Sequence, residues 1–234
     1  MTSAIRQIVP ASLSVLALAI TTFIFLPLAY ITSLAVSAQF SVWSRLWQTR
    51  IPELLSNTVS LAAGVSLGTF LLGVSLAWLV VRYEFFGRRV WEWALVLPLT
   101  IPTYVLAYIY VYLLGAGGPL PLFSPHSYTG AVLVMTLDTF PFVYLLTRAA
   151  LLSFNVSFEE VSRACGVSRI GTLFRVTLPL LRPAIVAGLS LVILYVVSDF
   201  GAVSLLRYQT FTYAVYQQMT GRYDHTAAAV LSLL

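Results

Sequence analysis

The stretch SFEEVSRACGVSRIGTLFRVTLPLLRP, residues 157–183, is the longest charged segment of an otherwise apolar chain. Its charged residues are Glu159, Glu160, Arg163, Arg169, Arg175 and Arg182. Apolar segments lie on both sides, and each is long enough to cross a membrane, which takes about 20 residues. A polar segment bounded in this way is predicted to be a loop between two membrane spans.

The chemistry of this loop predicts two short helices. Ser157 and Glu160 have the spacing of a capping box, in which each side chain accepts from a free N–H of the first turn. Gly166 can adopt the left-handed conformation that ends a helix. Ser168 can cap a second helix, which is expected to end at or before Pro179, because proline lacks the N–H and clashes with the preceding turn. The prediction is helix, glycine hinge, helix.

The spacing of this loop resembles the EAA loop of the ABC importer permeases. The family pattern is Glu-Ala-Ala, three residues, Gly, nine residues, then Ile-x-Leu-Pro. Here EVS at 160–162 is followed after three residues by Gly166, and after nine more by VTLP at 176–179. Every spacing matches, although valine and serine replace the two alanines and valine replaces isoleucine.

The resemblance implies a fold, a role and partners. The fold is an all-α polytopic bundle of the type I importer kind, and residues 153–183 form the cytoplasmic coupling loop. This loop docks on a dimer of ABC ATP-binding subunits, which hold ATP and Mg, so the chain itself binds no cofactor. Further implied partners are a periplasmic or lipoprotein binding protein and a second permease half. The implied coupling residues are Glu159, Glu160, Arg163, Gly166, Leu178 and Pro179.

Composition independently indicates a helical membrane protein. Hydrophobic residues make up 59% of the chain and charged residues 9%, whereas a soluble domain carries about 25% charged residues. The apolar runs do not alternate with polar residues as the strands of an outer-membrane barrel do. The basic residues are all arginines that flank apolar spans, so they indicate topology in a bilayer and not nucleic-acid binding.

Five complete spans and the start of a sixth are predicted. They cover residues 8–36, 58–81, 91–114, 129–147 and 184–206, with the sixth beginning at 226–234. A secretory signal is the alternative for the first, but its apolar stretch exceeds the about 7–15 residues of a signal core. Pro98 and Pro102 predict a kink or break in the third span. Gly64 and Gly68 in the second span predict close helix packing, or are a chance pair.

The last apolar segment sets an expectation about the whole protein. Nine residues cannot cross a hydrocarbon core that needs about 20. We therefore expect residues 1–234 to be one permease domain and the N-terminal half of a longer fused two-repeat permease. A truncated chain is equally compatible with this ending.

Arginine positions predict the orientation. With a cytoplasmic N-terminus, Arg6, Arg82, Arg88, Arg89, Arg148, Arg163, Arg169, Arg175 and Arg182 lie inside, and Arg45, Arg50, Arg207 and Arg222 lie outside. This distribution follows the positive-inside rule. It places the loop at 157–183 in the cytoplasm, and the resemblance implies a bacterial inner membrane.

Two aspartates within spans are candidates for function, because a charge in a bilayer is costly unless it faces water or a partner. Asp199, in the sequence Ser-Asp-Phe-Gly with Phe200 and Gly201, stands where related importers carry an acidic-Phe-Gly segment near the translocation pathway. The resemblance implies a pore-lining or gating role, and the alternative is that Asp199 only caps a broken helix. Asp138 could line the pathway, pair with an arginine or bind backbone groups freed by Pro141.

Catalytic and metal motifs are absent from the sequence. With no lysine there is no Walker A loop, neither HExxH nor GxSxG occurs, and two isolated histidines cannot build a metal site. The resemblance to the importer permeases therefore implies a non-catalytic subunit, and LPLTIPTYVLAYIYVYLL at 97–114 resembles the matching span of the ferric iron permeases. Thiamine, sulfate or polyamine cargo stays open, as does a secondary transporter or channel; a membrane enzyme is the least favoured class.

Overall fold

The computed structural model describes residues 11–115, 117–120 and 124–233. Arg6 and the first residues of the predicted first span lie outside the described residues. The described part of the chain is helical and contains no strand. Its α-helices are α1 Ala11–Val36, α2 Phe40–Thr49, α3 Ile51–Arg82, α4 Arg88–Ala94, α5 Thr103–Leu114, α6 Tyr128–Ser153, α7 Ser157–Ala164, α8 Arg169–Thr172, α9 Leu178–Ser198, α10 Gly201–Leu205, α11 Phe211–Tyr216 and α12 His225–Ser232.

Four helical segments of the described chain are long and apolar enough to cross a membrane, and a bent pair raises the number to five. The four are Leu13–Val36, Ile51–Arg82, Tyr128–Ser153 and Arg169–Ser198. The bent pair joins Arg88–Thr100 to Thr103–Leu114. These segments correspond to the five predicted spans, so the predicted all-α polytopic bundle is confirmed.

Several span limits differ from the prediction, among them the start of the second span and the end of the fifth. α3 begins at Ile51 instead of residue 58, because Pro52 lies in the first turn, where its missing N–H has no intrahelical partner to lose. α9 ends at Ser198 instead of residue 206. The chain is extended at Asp199, and the short helix α10 then begins at Gly201.

Among the described residues, one compact unit comprises 11–52 and 214–233. Within it, α12 packs against α1 and α2. α2 is amphipathic: Leu46 is buried, and the rings of Phe40 and Trp47 are exposed. Trp43 Nε1 donates a hydrogen bond to the carbonyl oxygen of Ala35 at 3.1 Å, which holds α2 against the end of α1.

The second compact unit comprises Glu53–Tyr213, and α6 is its most buried spanning helix. Small residues let neighbouring backbones approach closely. A Cβ at Gly68 would lie 2.8 Å from Thr136 Cγ2, and a Cβ at Gly188 would lie 2.9 Å from the Cα of Val143. α3 and α9 therefore both contact α6 through glycines, and the close packing predicted for Gly64 and Gly68 is confirmed.

The third span is broken, as the two prolines predicted. α4 is followed by a 3₁₀ turn, Leu97–Thr100, which contains Pro98. Pro102 has an extended backbone and immediately precedes α5. The helix direction bends by 102° between the two halves of this span. The first half is held to α6 by Glu92, which pairs with Arg148 at 3.2 Å.

Candidate functional site

The coupling loop, defined as residues 153–183, begins with a helix whose start differs from the prediction. Ser157 is already the first residue of α7, and no side chain caps the helix at Val156. The backbone N–H of Ser157 is instead satisfied by Asn155 Oδ1 at 3.0 Å. The predicted capping box of Ser157 and Glu160 is therefore wrong, because an asparagine two residues earlier takes the position of the local acceptor.

The hinge and the second cap agree with the prediction. Gly166 has a φ of +81°, in the left-handed region that glycine adopts without steric cost. Ser168 Oγ accepts a hydrogen bond from the N–H of Gly171 at 3.1 Å. The hydroxyls of Ser162 and Thr172 lie 3.1 Å apart, so α7 and α8 are tied together across the hinge.

The predicted stop at Pro179 is wrong. α8 runs into a π-helical turn, Leu173–Thr177, and then directly into α9, which begins at Leu178. Pro179 lies in the first turn of α9, where a missing N–H is tolerated. The wider π turn absorbs the change in hydrogen-bond register, so the coupling loop continues into the last of the long spans without a break.

Glu159 and Glu160, although adjacent, lie in different environments. Glu159 is 7% exposed, and its Oε1 accepts from Arg82 Nη2 at 2.9 Å and from Thr177 Oγ1 at 3.0 Å. Glu160 is exposed, as is Arg163, whose Nε donates to the carbonyl oxygen of Glu159 at 3.3 Å. Successive residues of a helix point about 100° apart, which separates the two carboxylates.

The exposed side of the coupling loop is partly apolar. Exposed fractions are 62% at Val161, 72% at Ile170 and 64% at Phe174. Glu160 is exposed next to Val161. Exposed apolar residues edged by charges are typical of a surface that contacts another protein.

A second candidate site lies where two helix breaks meet. Asp199 follows α9, and its Oδ1 accepts a hydrogen bond from Thr103 Oγ1 at 2.9 Å. Thr103 directly follows Pro102, the break in the third span. Gly201 packs here as well, since a Cβ on it would lie 3.1 Å from Thr103 Oγ1. The two interrupted spans are therefore joined at their breaks, and Phe200 lies between Asp199 and Gly201.

Asp199 also caps α10. Its Oδ2 accepts from the N–H of Ala202 at 2.8 Å and of Val203 at 3.4 Å, and its carbonyl oxygen accepts from Thr212 Oγ1 at 2.8 Å. The carboxylate thus accepts hydrogen bonds from two backbone N–H groups in the first turn of α10 that have no partner within the helix. The capping alternative predicted from the sequence is present in the structure.

Asp138 is connected to the same place. It is 3% exposed in the middle of α6, and the side chain of Tyr195 lies close to it and to Thr103. Its Oδ2 is buried and has no hydrogen-bond partner among the described residues. No ion pair of the described residues includes Asp138 or Asp199. The carboxyl groups of Asp138 and Asp199 therefore lie in one polar cluster with Tyr195 and Thr103.

Sequence reasoning missed four residues of these two sites: Arg82, Thr177, Thr103 and Tyr195. Thr103 carried a weak signal, because it follows a proline that breaks a span. Arg82 carried none, since it lies 77 residues before Glu159. Among the described residues no group of three or more His, Cys, Asp or Glu side chains is arranged to hold a metal ion.

Comparison with known proteins gives consistent matches. The family model described as "Binding-protein-dependent transport system inner membrane component" matches residues 69–234. The Fe(3+)-transport system permease protein FbpB 2 of Haemophilus influenzae is 38% identical over 187 residues, which is 80% of this chain and 35% of that protein. The chain therefore spans about a third of the length of this relative.

Two further matches differ in coverage. The molybdenum transport system permease protein ModB of Haemophilus influenzae is 29% identical over 205 residues, which is 78% of this chain and 90% of that protein. A crystal structure of a bacterial ABC transporter involved in the import of the acidic polysaccharide alginate matches with a TM-score of 0.71 and 18% identity. That match covers 95% of this chain and 88% of the other, and it supports the fold.

Proposed function

Because the chain belongs to the family of binding-protein-dependent transport system inner membrane components, we propose that it is the membrane-spanning subunit of an ATP-driven ABC importer. A binding protein outside the membrane hands substrate to it, and a dimer of ATP-binding subunits supplies the energy. A second permease half, on the same chain or on another, completes the pathway. The chain supplies no catalytic group.

The observation that carries this proposal is the geometry of the coupling loop. Two short helices, the second capped by Ser168, are tied across a left-handed glycine, and the loop continues into α9 without a break. A partner that moves α7 therefore moves α9 as well. We assign the exposed apolar residues of the loop, together with the exposed Glu160, to the surface that contacts the ATP-binding partner.

We assign the translocation pathway to the site where the two breaks meet. Interrupted helices at membrane depth are tolerated where they line a cavity or are buried in protein, and in transporters they mark the substrate site. Asp199, Phe200 and Gly201 form one break, and Pro102 forms the other. Asp138 lies beside the same site, next to the side chain of Tyr195.

The proposed cargo is ferric iron. The 38% identical relative carries Fe(3+) in its name, whereas the ModB relative is named for molybdenum. Among the described residues no arginine forms an ion pair with Asp199, and a carboxylate without such a partner favours a cation over an oxyanion in the pathway. Asp199 therefore supports iron over molybdate or sulfate, and thiamine or polyamines are the cationic alternatives.

Uptake measurements test the cargo. Cells that lack this gene are compared with cells that carry it again, under iron starvation, with radiolabelled ferric iron and, separately, molybdate. We expect ferric uptake to be lost and restored while molybdate uptake is unchanged. Loss of molybdate uptake alone would contradict the iron assignment, and uptake that persists when ATP is depleted would instead support a secondary transporter or channel.

A further inference from the structure

We propose that Glu159 is the residue that fastens the coupling loop to two membrane spans at once, whereas its neighbour Glu160 faces the partner. This proposal rests on the proposed function, because it assigns the route by which movement of α7 reaches the spans. Glu159 is a positioning residue: it touches neither substrate nor nucleotide, and it acts through Arg82 on α3 and through Thr177 at the start of α9.

The contacts converge on one oxygen atom. Glu159 Oε1 accepts from Arg82 Nη2 at 2.9 Å and from Thr177 Oγ1 at 3.0 Å. Arg82 is the last residue of α3, and Thr177 is the last residue of the π turn that precedes α9. A single carboxylate therefore joins the coupling helix, the end of one span and the beginning of another.

The surroundings hold the pair in one arrangement. The side chains of Arg82 and Glu159 are 17% and 9% exposed, so water screens their attraction much less than at a surface. The guanidinium carbon of Arg82 also lies 5.8 Å from the ring centre of Trp78 and 5.7 Å from that of Phe154. Both distances are within the range of a cation–π contact, and Phe154 belongs to the coupling loop itself.

Burial makes this link stiff. Removing one partner of a buried ion pair leaves the other charge without compensation, which is strongly unfavourable. Separating Glu159 from Arg82 during a conformational change would carry the same cost. We infer that α7, the end of α3 and the end of the π turn, where α9 begins, move as one body.

The test is a double-mutant cycle on the assembled transporter. The full permease is reconstituted with its ATP-binding subunits and the loaded binding protein in lipid vesicles. Ferric uptake and ATP hydrolysis are measured in the same vesicles for Glu159→Gln, Arg82→Gln and the double variant. We expect each single variant to keep the ATP-binding subunits and to hydrolyse ATP. The amount of ferric iron taken up per ATP hydrolysed is expected to fall about tenfold, which is within the usual range of coupling energies between contacting residues.

The double variant and a charge-exchange variant show whether the loss of uptake depends on the contact between Glu159 and Arg82. The double variant is expected to lose no more than the worse single variant, because the second substitution removes a contact that is already gone. Arg82→Glu with Glu159→Arg is expected to regain part of the uptake. Matched controls are Glu84→Gln, whose side chain is 95% exposed, and Arg89→Gln, which is exposed; both are expected to behave as the unaltered protein.

Three results would overturn the assignment. The first is unaltered uptake per ATP in Glu159→Gln. The second is additive losses in the double variant, and the third is a Glu159→Gln complex that has lost its ATP-binding subunits, since that residue would then act in docking. Failure of the proposed function looks different, because the unaltered chain itself would then show no ATP-dependent uptake.

Discussion

At the scale of single residues, Asp199 has two roles that substitutions can separate. It caps α10 and it places a carboxylate where two interrupted spans meet. Asparagine caps a helix almost as well as aspartate, whereas alanine loses the cap at a cost of about 1 kcal/mol. Asp199→Asn therefore removes the charge and keeps the cap, and Asp199→Ala removes both.

We predict that Asp199→Asn lowers ferric uptake about tenfold, the size of one lost charge-assisted contact, and leaves thermal stability in detergent unchanged. Asp199→Ala is expected to lower both. The control is Asp224→Asn, which preserves the cap of α12 at Ala227. Unaltered uptake in Asp199→Asn would mean that the residue serves only as a cap, and it would remove Asp199 from the proposed pathway.

Residue by residue, local chemistry was predictable and long-range partners were not. The left-handed Gly166 and the cap by Ser168 follow from spacing alone. The predicted capping box is wrong because Asn155, which is not part of the Ser157–Glu160 pattern, accepts the hydrogen bond from the N–H of Ser157. Glu159 belonged to the predicted coupling loop, but nothing in the sequence distinguishes the buried glutamate from the exposed Glu160, since the fold alone brings Arg82 to it.

At the scale of helices, glycine contacts set the distance between α9 and α6. A Cβ at Gly188 would lie 2.9 Å from the Cα of Val143, a backbone atom that cannot rotate away. We predict that Gly188→Leu destabilises the protein by about 1–3 kcal/mol, the usual cost of overpacking. Thermal unfolding in detergent measures this effect.

The matched control for this prediction is Ala187→Leu. Ala187 is the preceding residue of the same helix and is exposed, so its substitution adds the same side chain without meeting α6. We expect its unfolding temperature to equal that of the unaltered chain. Equal unfolding temperatures for both variants would contradict the close packing of α9 on α6.

Element limits were harder to predict than element types. Apolar length predicted the long spans, and the two prolines predicted the broken one. The continuation through Pro179 was missed, because a proline predicts a stop unless a π turn shifts the register before it. The end of α9 at Ser198 was missed because the following residues are as apolar as a span, and only the capping bonds of Asp199 reveal the break.

At the scale of the whole molecule, the arginine distribution predicts that the coupling loop is cytoplasmic. The chain contains one cysteine, and Cys165 is exposed in this loop. We predict that a membrane-impermeant maleimide labels Cys165 in inverted vesicles and not in intact spheroplasts. The matched variant carries Gln48→Cys with Cys165→Ser; Gln48 is exposed in α2, and the new cysteine is expected to react in intact spheroplasts.

The opposite labelling pattern would place the loop outside, where no ATP-binding subunit could reach it. Labelling of both cysteines from one side would contradict the predicted number of spans between them. Either result would remove the physical basis of the coupling proposal, whatever the cargo.

The central claim is that the coupling loop binds an ATP-hydrolysing partner, and co-purification tests it most directly. The tagged full-length permease is extracted in mild detergent, and the ATP-binding subunit is measured beside it for the unaltered chain and for Glu160→Lys. We predict that the unaltered chain retains the subunit, and that Glu160→Lys inserts normally but fails to retain it or to couple it to uptake. An unaltered chain that retains no ATP-binding subunit, or a Glu160→Lys variant with full association and full uptake, would contradict the account.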